Sequence, residues 1–275
     1  YLVHEQYFQG WSRSARIHLR STTKSFISAL VGTAIKDGYL TGVDQTLAEV
    51  LPSYYLPGLD SIKASVTIEQ LLTMTAGFQW DENGTVQADW EASDDWFAFI
   101  LDLELETDPG SAFKYNSGLP HLLSGIVTNA THMHLQDFAK ESLFEPLGIP
   151  EFSWEQAPEG INIGGFGLYL APRDMARFGQ LYLDDGMADG VQVLPVGWVA
   201  ESTRRHSGGT QGYGYLWWIK ELGAYSGYAA EGSSGQMIYV FPEIDLLVIF
   251  TATIDDSFES VLDAILTTYL LKSIE

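Results

Sequence analysis

The chain has 275 residues, 46% of them hydrophobic, which is enough to bury a sizeable core, and carries a formal charge of −22 from 14 basic and 36 acidic side chains. So acidic a composition offers no basic stripe to displace counterions from a phosphate backbone, which excludes nucleic acid as a partner. The absence of cysteine rules out disulfides, a thiolate nucleophile and a cysteine-bound metal, and no stretch reaches the roughly 20 apolar residues of a membrane span. Compartment and oligomeric state stay open. The first residue is Tyr1 and strand-like sequence follows at once, so a leader or other N-terminal segment is expected to precede it in the natural chain.

In chain order, residues 2–8 and 14–19 have the length and mixed polarity of two strands joined by a turn at 9–12, predicting a hairpin. From Ser21 onward, Phe26, Ile27, Leu30, Val31, Ala34 and Ile35 recur at helical spacing, and Asp37-Gly38 supplies the stop. Thr67-Ile68-Glu69-Gln70 has capping-box form, residues 94–105 are amphipathic, and two more helices are expected over 118–130 and 136–145. Pro172 and Pro195 each stand near the first turn of a further helix. Strands are expected at 213–220, 224–230, 236–241 and 246–253, and a last helix from about Phe258 to Leu271.

These elements predict an α+β fold, with an antiparallel sheet built from both chain ends, flanked by helices, and a helical insertion. Residues 1–40 and 162–275 are expected to form the sheet domain and 41–161 a mainly helical domain. A cleft between the two is the natural place for a site.

Two S-x-x-K stretches occur, Ser21-Thr22-Thr23-Lys24 and Ser111-Ala112-Phe113-Lys114. On a helix, positions i and i+3 share a face, so Ser21 and Lys24 can approach within hydrogen-bond reach. A helix N-terminus favours developing negative charge and burial disfavours an ammonium, so Lys24 there can take the serine proton. The same spacing also fits a helix-capping serine followed by an exposed lysine, and spacing alone does not separate the two. Ser111 follows Pro109-Gly110 in a turn with no apolar helical stripe after it, which gives it the plainer reading. His132 and His134, two apart, point away from each other and gather no metal. Gly164-Gly165-Phe166-Gly167 does not begin a phosphate-binding loop and is expected to be a turn.

Three stretches in order, "STTKSFISALVG" (21–32), "PGSAFKYNSGLPHLLSGIV" (109–127) and "AEGSSGQMIYVFPEIDLLVIFTA" (230–252), resemble the serine β-lactamase-like family. That family includes class C β-lactamases, D-alanyl-D-alanine peptidases, esterases and 6-aminohexanoate-dimer hydrolases. The likeness covers nearly the whole chain. It implies Ser21 as nucleophile, with Lys24 and Tyr115 moving protons. The Tyr-x-Asn motif has Ser117 in its third position here, where a hydroxyl replaces part of the amide's substrate hydrogen bonding. The third motif, Lys/His-x-Gly on a strand, falls on Ala230-Glu231-Gly232, so its cation is absent. The resemblance further implies an oxyanion hole from the N–H groups of Ser21 and Ser233, with Gly232 allowing close approach of substrate.

The function these observations imply is a serine hydrolase acting through an acyl-enzyme on carboxylic esters or small amides. Alternatives are a D-alanyl peptidase or weak β-lactamase and, from a different class, a catalytically silent binding protein on the same fold. No cofactor or metal is required, and the expected partner is a small ester, amide or peptide substrate.

Overall fold

The computed structural model describes residues 1–51, 59–255 and 259–273. Its elements run β1 (Ile17–His18), α1 (Thr23–Lys36), α2 (Leu47–Val50), α3 (Ser61–Ala64), α4 (Ile68–Leu72), α5 (Thr85–Ala92), α6 (Trp96–Asp102), α7 (Gly118–Thr131) and α8 (Leu135–Ala139). There follow β2 (Ser153–Trp154), β3 (Leu168–Leu170), α9 (Pro172–Leu183), β4 (Met187–Ala188), β5 (Val191–Gln192) and α10 (Trp198–Ser202). The chain continues through β6 (Trp218–Leu222), β7 (Tyr225–Gly232), β8 (Gln236–Phe241), β9 (Leu246–Phe250) and α11 (Glu259–Ile265). The expected start of this last helix, Phe258, lies outside the described residues. Among the described residues no helix is long and apolar enough to cross a membrane.

The fold is α+β, as expected, with an antiparallel sheet flanked by helices. The sheet's composition differs from the expectation. Its four strands, in the order β6-β7-β8-β9, all come from the C-terminal part. The N-terminal segment contributes only β1, which pairs with β3 in a separate three-stranded sheet, and residues 2–8 form no strand. Length and mixed polarity are not enough to hold a strand whose backbone groups find no partner strand, and this segment lies largely exposed on the surface.

Helix α1 is buried from Thr23 to Ala34 on every side rather than along one stripe, which makes it the axis of the core. Phe26 stacks on Phe178 of α9 at 3.7 Å between centroids and meets Phe144 at 6.2 Å. At Gly32 a side chain would collide with the Trp198 ring, so glycine lets α10 pack against the helix. Strand β8 is buried along its whole length, and the period-2 alternation divides its side chains between two cores. Ile238 and Val240 join the main core with α1 and α9, while Met237, Tyr239 and Phe241 pack with Leu262 and Leu266 beyond the opposite face. The amphipathic α9 turns Phe178 and Tyr182 inward, and Gly179 brings it into contact with Leu247 of β9 and Ile238 of β8. The main core runs without interruption from this sheet into α4, α6 and α7.

Candidate active site

The polar run that opens α1 explains how the site is assembled. Leu19 donates its N–H to Leu168 O at 2.8 Å, ending the β1 pairing. Arg20 then adopts a left-handed backbone, φ 53°, and a short 3-10 turn, Arg20–Thr22, leads into α1. Such a conformation costs a non-glycine residue about 1–2 kcal/mol and turns the chain sharply just before Ser21. Burying so many polar side chains is tolerated because each finds its own partner. Thr22 Oγ1 donates to Gln236 O of β8 at 2.7 Å, Ser25 Oγ donates to Leu216 O at 2.7 Å, and Leu168 N–H donates to Thr23 Oγ1 at 3.4 Å. The turn carrying Ser21 is thus fastened to the sheet, to the loop before β6 and to β3 at once.

Lys24 is 1% exposed, so the reading of a solvated lysine does not hold. Nor does Ser21 cap the helix: the N-cap position is Thr22, with no side-chain capping bond. Lys24 Nζ lies 2.9 Å from Ser21 Oγ and donates to Gly165 O at 2.7 Å. Burial brings its pKa down to about 8, and the charge of Glu82 opposes that fall. Removal of part of the ammonium's stability in this way leaves more of the lysine neutral and able to accept a proton from a hydroxyl in contact with it.

Tyr115 is brought to the same place. The Lys24 ammonium lies 5.0 Å from the centroid of its ring. The ring stacks on Trp218 at 5.6 Å and meets Tyr213 edge-on at 6.3 Å. Aromatic packing on two sides fixes its plane. Trp217, at the neighbouring position, faces the other way into the core beside Phe178 and Tyr182.

Ser117 is buried and turned away from open space: its Oγ donates to Glu82 Oε1 at 2.5 Å and its N–H to Glu82 Oε2 at 3.1 Å. That carboxylate was not foreseen from the sequence. The turn that holds it is well built, since Asp81 accepts from the N–H groups of Thr85 and Val86, and Trp80 Nε1–H donates to Glu82 Oε2 at 2.6 Å. The glycine run at 164–167, expected to be only a turn, contributes the Gly165 carbonyl to Lys24. A Cβ at Gly165 would stand 2.5 Å from Ser117 O, and one at Gly164 would strike the Pro120 carbonyl, so both glycines are needed for the loop to approach α7.

The strand motif is present in part. Gly232, the last residue of β7, packs against the Ser21 turn so closely that a Cβ there would meet Leu19 O and Thr22 Oγ1. Ser233 follows in the exposed turn to β8. Ala230 is 1% exposed and sits in the main core, leaving no surface for a ligand to touch, which departs from the expectation that it lines the site. Alternation turns Glu231 to the opposite face of the sheet, where it pairs with Lys220.

Ser111 stands apart from this group. It is exposed, with Oγ donating to Asp108 O at 2.6 Å, and Lys114 pairs with Glu106. Ser111→Ala is therefore expected to leave kcat/KM unchanged and to alter stability by no more than about 0.5 kcal/mol, read from kinetics and a thermal melt. Among the described residues, Glu69, Glu201 and His206 also come together, with candidate ligand atoms within 4.8 Å of one another. Tyr215 OH donates to Glu69 at 2.7 Å and Arg204 holds Glu201 through two bonds, so internal donors already engage those carboxylates.

The family model described as Beta-lactamase matches residues 2–270. A penicillin-binding protein 4 from Amycolatopsis lactamdurans is 25% identical over 256 residues, covering 78% of this chain and 65% of that protein. A 6-aminohexanoate-dimer hydrolase from Paenarthrobacter ureafaciens is 25% identical over 275 residues, covering 89% and 68% respectively. The chain thus spans about two thirds of the length of these curated relatives. Among solved structures, a Bacillus anthracis protein assigned as a 6-aminohexanoate-dimer hydrolase superposes with a TM-score of 0.81 at 22% identity, covering 98% of this chain and 76% of that one.

Proposed function

The chain belongs to the beta-lactamase family, and from that premise we propose that it is a serine hydrolase that cleaves small carboxylic esters or amides through an acyl-enzyme. The observation that carries this reading is the buried Lys24, its Nζ 2.9 Å from Ser21 Oγ and its pKa near 8. In the proposed reaction, Ser21 Oγ bonds to the substrate carbonyl carbon as its proton passes to neutral Lys24. Collapse of the tetrahedral intermediate breaks the bond to the leaving group, which takes a proton from Lys24 by way of Tyr115. Water then attacks the acyl-enzyme with the proton movements reversed, releasing the acid and restoring Ser21. The backbone N–H groups of Ser21 and Ser233 would receive the oxyanion.

We take residues 1–40 with 162–275 as one domain and 41–161 as the other. The site then draws Ser21, Lys24 and Ser233 from the first and Tyr115 from the second, with substrate entering between them and Ser117 held behind by Glu82. The relative named for hydrolysis of a 6-aminohexanoate dimer supports a small-molecule substrate.

The empty third motif sets the preference among substrates. No lysine or histidine stands at Ala230-Glu231, and Glu231 is occupied with Lys220 on the far face. A charge-assisted hydrogen bond to an ionised group is worth roughly 1.5–3 kcal/mol, so carboxylate-bearing substrates lose about one to two orders of magnitude in recognition. Uncharged short-chain esters are expected to show higher kcat/KM than penicillins or cephalosporins, which carry that carboxylate. Both classes are measured on one preparation, with Ser21→Ala as blank. A higher kcat/KM for the β-lactam would contradict the esterase assignment.

A further inference from the structure

We propose that Glu82 is the anionic partner of Lys24, a positioning residue that stabilises the ammonium formed when Lys24 takes the Ser21 proton. The inference rests on the hydrolase reading above. Its geometry is a stack of three layers. Lys24 Nζ donates to Gly165 O, Gly165 packs directly against Ser117, and Ser117 hands both its N–H and its O–H to the Glu82 carboxylate. Trp80 Nε1–H completes the hold on Oε2. Three donors therefore fix a carboxylate one layer behind the lysine, on a turn that Asp81 in turn secures. Such an arrangement gives the carboxylate one position.

The reason such a charge matters lies in the proton transfer. As the Ser21 Oγ–carbon bond forms, the proton leaves Oγ for Nζ, and a neutral amine becomes an ammonium shielded from water. In a site of low dielectric that cation is costly unless an anion faces it, the same service that the buried carboxylate of a Ser-His-Asp triad gives its imidazolium. Among the described residues, the other ionisable groups around Lys24 do not fill this place. Tyr115 and Tyr213 lie on one side, with burial holding the Tyr213 hydroxyl far above its ordinary range. Arg20 is exposed and its charge acts on His18 and Tyr169. Near α7, His121 and Glu159 are paired with each other, and Glu231 is paired with Lys220. The carboxylate whose charge acts on Lys24 is that of Glu82.

This account also gives the departure from Tyr-x-Asn a physical meaning. Ser117 has one hydroxyl proton and it goes to Glu82, so the serine holds the carboxylate in place instead of donating to substrate.

The test separates charge from packing and does not depend on turnover. In a Ser21→Ala background, protein labelled at lysine Cε and Nζ is titrated by NMR, with the Lys24 signal assigned by its loss in Lys24→Met. Glu82→Gln keeps the side chain's size and removes the charge, and is expected to lower the Lys24 midpoint by about one pH unit. Glu82→Asp keeps the charge and is expected to leave the midpoint close to that of the parent. With Ser21 restored, the ascending limb of kcat/KM moves to lower pH in Glu82→Gln and its plateau falls, because a weaker base drives the transfer less. An unchanged Lys24 midpoint in Glu82→Gln, or an equal shift in Glu82→Asp, would overturn the proposal. If the unsubstituted protein turns over no substrate, the hydrolase reading fails while the NMR titration still decides the role of Glu82.

Discussion

Ser21→Ala is expected to lower kcat/KM by about 10³-fold or more for any ester the protein hydrolyses, while its melting temperature stays close to that of the parent. The two halves of this result have separate causes. Loss of activity follows from removing the atom that bonds to the carbonyl carbon, for which no neighbouring group substitutes: Ser25 Oγ is committed to Leu216 O and Thr22 Oγ1 to Gln236 O. Retention of stability follows from the small void left by one hydroxyl in a half-buried turn. That turn is held by Thr22, Thr23 and Ser25 rather than by Ser21. Steady-state kinetics and a thermal melt of the same preparation read both. A melting temperature that collapses with activity would make Ser21 a structural residue.

Lys24→Met is expected to remove turnover to a similar extent and to stabilise the fold by roughly 1–3 kcal/mol at pH 7. The sign follows from linkage. The pKa of Lys24 is about 8 in the folded protein against 10.5 ordinarily, so the unfolded chain binds more protons between those values. Stability contributed by this residue therefore rises as pH climbs from 8 to 10.5, and the penalty is present in full below 8. Methionine fills a similar volume without an ammonium and removes that penalty, less the two contacts to Ser21 and Gly165. The same pKa predicts that kcat/KM of the unsubstituted protein rises with pH through about 8, since only neutral Lys24 accepts the Ser21 proton. Double substitution of Ser21 and Lys24 should be little slower than either single one, because the two act as a unit. A less stable Lys24→Met protein would show that the ammonium's hydrogen bonds outweigh its desolvation.

Parts of this site were legible in the sequence because they are local. Ser21 and Lys24 stand three apart where an apolar helix begins, which shows that they can meet, whereas the burial that separates an activating lysine from a solvated one is seen only in the fold. Strands β6 to β9 and the capping box at Thr67 were legible for the same reason, being set by neighbours within a few residues. What escaped depends on contacts far apart in the chain. Glu82 lies 35 residues from the serine it holds and carries no motif of its own. The Gly165 carbonyl is backbone, which any residue type offers, and only the close approach to Ser117 marks it. The N-terminal hairpin failed because length and mixed polarity show that a segment could be a strand, not whether a neighbouring strand exists. At Ala230 the missing cation was visible, whereas its burial in the main core depends on how β7 packs against α1.

The central claim, that Lys24 activates Ser21 as a nucleophile, is tested most directly by intact-mass measurement after exposure to a fluorophosphonate probe. The account predicts a single adduct mapping to Ser21, absent in Ser21→Ala, strongly slowed in Lys24→Met and unaffected in Ser111→Ala. An adduct that persists in Ser21→Ala, or forms as fast in Lys24→Met as in the unsubstituted protein, would contradict it.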